Sequence, residues 1–153
     1  MTGPVTMSIA SVADMLTFGR QLAAQIRRGD MIALSGNLGS GKTVLARGVL
    51  EGLGHQGEVS SPSYALVHPY DPPHVRLPIS HVDLYRLDDP AALIELGLDE
   101  ARTYGALMVE WPERGGPGFV ADALHITIEP EGPDARRLTV AVPRSWETRW
   151  PPR

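Results

Sequence analysis

Apolar residues recur along this chain in two rhythms, and the rhythm changes at glycines and prolines. Val12, Leu16, Leu22, Ala23 and Ile26 fall on one side of a helix running to about Arg28, with Ser11 as its N-cap and Gly29 as its stop. Met31-Ile32-Ala33-Leu34 is then an apolar run of strand length. After a glycine-rich stretch, Val44, Leu45, Val49 and Leu53 make a second helical stripe that Gly54 ends. Tyr64 to His68 predicts a strand, whereas the prolines at 69, 72, 73 and 78 predict a connection in which regular pairing fails. Ile79 to Tyr85 alternates as a half-buried strand does. Leu87 to Tyr104 predicts one or two short helices broken at Gly97, and Ala106-Leu107-Met108-Val109 a buried strand ending in Glu110-Trp111-Pro112. Leu124 to Ile128 and Leu138 to Val142 alternate cleanly, an antiparallel pair joined around Glu131 to Asp134. The Pro-, Arg- and Trp-containing segment 143–153 predicts an irregular tail.

Between the first apolar strand and the second helix stand Gly36-Asn37-Leu38-Gly39-Ser40-Gly41-Lys42-Thr43, which fit GxxxxGK[ST]. Four fixed positions recur by chance in a chain of this length on the order of half a per cent of the time, and the strand-loop-helix setting lowers the odds further. In such a loop the backbone N–H groups of Asn37 to Thr43 wrap nucleotide phosphates, and glycines permit the close approach. Lys42, the only lysine of the chain, would bridge the β- and γ-phosphates. The Thr43 hydroxyl would take one position on Mg²⁺. The expected fold is therefore α/β: P-loop NTPase-like, three layers, with a mixed, mainly parallel central sheet and a C-terminal antiparallel strand pair.

With 153 residues, 42% of them hydrophobic, the chain suffices for one domain spanning 1–153. It has no membrane-length apolar run and no signal-peptide zones at Met1 to Ser11, so a cytoplasmic protein is expected. Absence of cysteine excludes thiol catalysis, disulfides and thiolate metal sites. A net charge of −4 argues against direct, broad binding of DNA or RNA, which needs clustered positive charge.

A phosphate loop needs carboxylates to hold the hydrated metal and orient water. Asp83 and Glu110 both end predicted strands, and in an open α/β sheet the ligand crevice lies beyond those ends. Taken singly, Asp83 reads as a turn cap, Glu110 as a solvated acid and Trp111 as a core residue. Two such acids beside a phosphate loop favour function.

In order and spacing, GNLGSGKT (36–43), SPSY (61–64), HVDLYRL (81–87), ELGL (95–98) and VEWPER (109–114) resemble the signatures of the bacterial TsaE family, also called YjeE. The resemblance implies an ATPase component of tRNA threonylcarbamoyladenosine synthesis, with ATP and Mg²⁺ as cofactors. It makes Thr43 and Glu110 the metal ligands, Lys42 and Asp83 catalytic, and Trp111 and Arg136 neighbours of the nucleotide. Ser61-Pro62-Ser63 matches a segment near the γ-phosphate that carries threonine where Ser63 stands. The implied partners are TsaD and TsaB, with tRNA reached through them. Asp83 is the better candidate to activate water, though it and Glu110 could exchange roles. A small-molecule kinase would need an arginine-bearing lid, and Arg86, Arg102 and Arg114 are scattered. A GTPase would need a second lysine in its guanine-reading motif. A nucleotide-dependent binding module with vestigial hydrolysis is the remaining alternative.

Overall fold

The structure, a computed structural model, describes residues 3–59 and 66–152. Its strands are β1 (Val5–Ile9), β2 (Met31–Ser35), β3 (Val67–Tyr70), β4 (Ile79–Asp83), β5 (Ala106–Glu110), β6 (Leu124–Pro130) and β7 (Arg136–Ala141). They form one seven-stranded sheet in the order β1-β7-β6-β2-β5-β4-β3. β2 lies parallel to β5 and β6, and β4 parallel to β5. The antiparallel pairs are β1 with β7, β6 with β7, and β3 with β4. Thus β1, β2, β4, β5 and β6 all point one way, and the expected mixed, mainly parallel sheet contains the expected antiparallel pair.

Period-two alternation assigns the two faces. Ile32, Leu34 and Met108 face a core under helices α1 (Val12–Ala23) and α2 (Lys42–Gly52), while Met31, Ala33, Leu107 and Val109 face a second core. That second core also takes Leu98 of α3 (Leu98–Tyr104) and is flanked by Leu93 and Leu96 of a 3-10 helix over Pro90–Leu96. Gly97, at φ 66°, breaks the two helices where expected. Because helices cover both faces, the central strands read as unbroken apolar runs. α1 and α2 meet backbone to backbone: a Cβ on Gly19 would lie 2.9 Å from the Cα of Gly48, and one on Gly48 would lie 2.6 Å from the Leu16 carbonyl oxygen.

Four expectations need correction. β1 was not foreseen. α1, capped by Ser11 as expected, stops at Ala23 rather than near Arg28. The carbonyls that would continue it are taken by arginine: Arg76 Nη2 donates to Ala23 O and Ile26 O, Arg149 Nη1 to Gln25 O, and the Arg27 amide turns to Asp30 Oδ2. The strand expected at 64–68 runs from Val67 to Tyr70, its first residues lying outside the described ones; Pro69 pairs opposite Ser80 because β3 is an edge strand, where a missing amide proton is tolerated. The tail, expected to be irregular, contains a 3-10 turn, Arg144–Trp146, and docks Trp146 into the core.

That docking rests on a buried ion pair. Arg149 donates to both oxygens of Asp30, at 2.7 and 3.0 Å, and its guanidinium lies 4.1 Å from the Trp146 ring centroid. Removing one partner of such a pair leaves the other charge buried alone, at a cost of about 3–5 kcal/mol. Arg149→Ala is therefore expected to lose that much in urea unfolding; a loss below about 1 kcal/mol, the worth of an exposed pair, would sink this account.

Candidate functional site

The glycine-rich loop joins the carboxyl end of β2 to the N-terminus of α2, with Gly41 as the helix N-cap at φ 112°, a conformation open to glycine and strained for other residues. At Gly36, φ 151°, a Cβ would come within 2.6 Å of both Ile128 O and Ser40 Oγ. A side chain is thus excluded at Gly36 by close contact and disfavoured at Gly41 by the backbone conformation alone. Lys42, 5% exposed, donates to the carbonyls of Gly36 and Asn37 and sits 4.3 Å from the centroid of the Trp111 ring. Burial pulls its ammonium below the ordinary lysine value, and the carboxylates of Glu110, Asp83 and Glu113 oppose that shift.

The strand register places the acids. Asp83 stands opposite Glu110 at the parallel ends of β4 and β5, and Leu34 of β2 stands opposite Glu110 on its other side. Leu38, Gly39, Ser40, Gly41, Lys42, Thr43, Asp83, Glu110 and Trp111 line one pocket of about 420 Å³. Asp83 Oδ1 accepts the Tyr85 amide at 2.9 Å, the turn-capping bond open to any strand-end aspartate, and the residue also lines the pocket. Trp111 has φ 57°, the one positive value of a non-glycine residue among those described, a strain on the order of 1 kcal/mol, and its ring rests 4.9 Å from that of Tyr85.

Two predicted residues stand apart from the pocket lining. Asn37 contributes its carbonyl to Lys42 rather than a side chain to the pocket. Arg136 approaches the loop from its other flank, where Nε donates to Ser40 O at 2.9 Å, and helps line a smaller pocket of about 110 Å³ with Val12, Met15, Gly39, Gly41 and Val44. Ser61-Pro62-Ser63 lies outside the described residues.

Sequence reasoning missed four polar groups around the site, His81, Ser35, Glu113 and His125. His81 Nε2 lies 2.6 Å from Glu110 Oε2, both side chains buried. Ser35, the residue before the loop, donates to Glu113 Oε2 at 3.1 Å and so accepts from His125 Nε2 at 2.8 Å. His81 shares Asp83's strand face by two-residue spacing, a signal available in the sequence; the Ser35-His125-Glu113 chain joins residues 78 and 90 positions apart and has no sequence signal. Among the described residues no three carboxylate or imidazole groups gather as a self-sufficient metal site. Thr43 and Glu110, which line the same pocket, are oxygen donors of the kind that could hold a Mg²⁺ whose other ligands come from phosphate and water.

Residues 9–138 match the family model described as threonylcarbamoyl adenosine biosynthesis protein TsaE. Proteins named tRNA threonylcarbamoyladenosine biosynthesis protein TsaE are 41% identical in Haemophilus influenzae, over 72% of this chain and 73% of theirs, and 42% identical in Streptomyces coelicolor, over 75% and 78%. The crystal structure of YdiB from Bacillus subtilis superposes with a TM-score of 0.77 at 30% identity, covering 97% of this chain and 92% of that one.

The His125 pair makes a pH-dependent contribution to stability. Burial lowers this imidazole from its ordinary 6.5, with Glu113 opposing. As the pH falls below 6.5 the unfolded chain takes up the proton before the folded one does, so stability is constant above that value and declines beneath it. His125→Gln, which keeps an amide donor but cannot titrate, is expected to lose less stability than the parent chain between about pH 7.5 and 5.5 in urea melts; parallel losses would remove His125 as the source.

Proposed function

The chain belongs to the TsaE family, and so to the biosynthesis of threonylcarbamoyladenosine in tRNA; on that premise we propose that it binds and hydrolyses ATP with Mg²⁺, acting on a TsaB–TsaD complex to support its turnover. The observation that carries this reading is the single pocket in which the loop, its buried lysine and two strand-end carboxylates converge. Thr43 and Glu110 would hold the metal, which when bound supplies charge neutralisation at the phosphate oxygens.

The rest falls to the chain's own groups. Lys42 exchanges the carbonyls of Gly36 and Asn37 for β- and γ-phosphate oxygens, and the amides of Asn37 to Thr43 at the N-terminus of α2 add oriented dipoles that cost no reorganisation as charge shifts to the leaving group. Asp83 orients the attacking water and receives its proton. Its position is set by the β4 register and by the bond from the Tyr85 amide. Trp111 excludes bulk water beside Lys42, and Arg136 braces the loop through Ser40 O on the side where the nucleoside would lie.

The net charge of −4 supports reaching tRNA through TsaD and TsaB rather than by the chain's own surface. Among the described residues no helix is long and apolar enough to cross a membrane, and a cytoplasmic setting belongs to the same reading.

Phosphate release from ATP, followed with and without TsaB and TsaD, tests the proposal. The pair is expected to stimulate release, and Lys42→Ala to reduce it by about a hundredfold or more with the fold intact. Phosphate appearing on a small acceptor would turn the reading to a kinase. Undiminished turnover in Lys42→Ala would remove the site.

A further inference from the structure

His81 is buried beyond the reach of solvent, and its imidazole makes one polar contact, from Nε2 to Glu110 Oε2 at 2.6 Å. Its Nδ1 is buried with no partner. A histidine kept in this state needs an explanation, because an unmatched buried nitrogen costs free energy that an apolar residue of similar size would not. Packing alone would be served better by leucine, which fills such positions throughout the adjoining core.

The contact itself supplies the explanation. A carboxylate that binds a metal only accepts, so on that reading of Glu110 the imidazole donates from Nε2. Glu110 has three side-chain torsions and stands at the end of β5, where nothing else in the described residues bonds its carboxylate. His81 sits two residues before Asp83 on β4, opposite Met108, and reaches diagonally across the parallel ladder to take Oε2. That single bond orients the carboxylate and leaves Oε1 for the pocket shared with Thr43 and Lys42.

We infer that His81 is a positioning residue, holding the Glu110 carboxylate so that one oxygen is presented to the divalent cation of the bound nucleotide. This rests on the reading of Glu110 as a metal ligand. Hydrogen-bonded partners behind a ligating carboxylate typically change metal affinity by 10- to 100-fold when removed. The role is therefore visible in metal binding without turnover.

The test uses the full chain saturated with a non-hydrolysable ATP analogue, with Mn²⁺ as the probe and free Mn²⁺ counted by electron paramagnetic resonance. His81→Leu and His81→Met remove the donor; His81→Gln returns an amide N–H close to Nε2. The expected result is a Mn²⁺ dissociation constant raised about 10- to 100-fold in the Leu and Met variants, and close to the parent value in His81→Gln. Analogue binding in the absence of metal, read by isothermal titration calorimetry, should be unchanged in all three. Parent-like Mn²⁺ affinity in a folded donor-less variant would overturn the inference, as would a Gln variant as weak as the others, since that pattern reports packing. If His81→Leu does not fold, the Met and Gln pair decides. Glu110→Gln separates the two levels: unaltered Mn²⁺ affinity there strikes down the metal-ligand reading and His81's role with it, whereas a weakened Glu110→Gln beside an unaffected His81→Leu strikes down His81 alone.

Discussion

A single ammonium group buried at the head of a helix sets the terms for the rest of the structure. Lys42 begins α2, where the unpaired amides of the first turn already present positive potential, and burial adds a desolvation cost to its charge. Such a group is held by hydrogen-bond acceptors, an aromatic face and the field of nearby carboxylates. The Gly36 and Asn37 carbonyls, the Trp111 ring and the carboxylates of Asp83, Glu110 and Glu113 provide them, and they come from the ends of three strands and the turn beyond the third. The parallel register of β2, β5 and β4 brings those ends to one level. The sheet's topology and the charge of one side chain are thus the same constraint seen at two scales.

The helix that carries Lys42 must itself be immobile, and this falls to residues with no side chains. Gly19 on α1 and Gly48 on α2 bring the two backbones into contact, and Gly52 packs against Ala23 with no room for a Cβ, which would lie 2.6 Å from the alanine methyl. The far end of α1 is then tied down by arginines 76 and 149, whose guanidinium groups take the carbonyls that another helical turn would have used. Arg149 belongs to the tail and Asp30 to the segment leading into β2, so the last residues of the described chain secure the strand that feeds the loop.

The legible parts of this molecule were those whose cause is local. Two-residue alternation marked β4, β6 and β7, the glycines marked the loop and the break at Gly97, and the strand-end acids followed from where an open sheet places its crevice. What escaped depended on partners distant in sequence. β1 is an exposed margin whose only signal is its pairing with β7, and the early end of α1 depends on arginines 50 or more residues away. Pro69 misled because the rule against proline in a sheet applies to interior strands, and edge position is a property of topology. His81 lay inside a recognised motif, yet its role depends on a glutamate 29 residues on, and alternation indicates a face without naming what is met there.

The loop is also a partition. Gly39, Gly41 and Val44 line both the 420 Å³ pocket that holds Lys42 and the 110 Å³ pocket bounded by α1 and Arg136, so one short stretch of backbone forms a wall of each. On the proposed reading, the phosphates of the nucleotide would meet the first space and its nucleoside the second. In the present arrangement Lys42 bonds the loop's own carbonyls. On the reading proposed above, an arriving phosphate competes with Gly36 and Asn37 for the ammonium; Gly36 O loses the ammonium, while Asn37 O keeps the Ser40 amide. Arg136 holds the same loop further along, at Ser40 O, from the opposite flank. One guanidinium bond thereby ties the loop to β7 and the C-terminal strand pair.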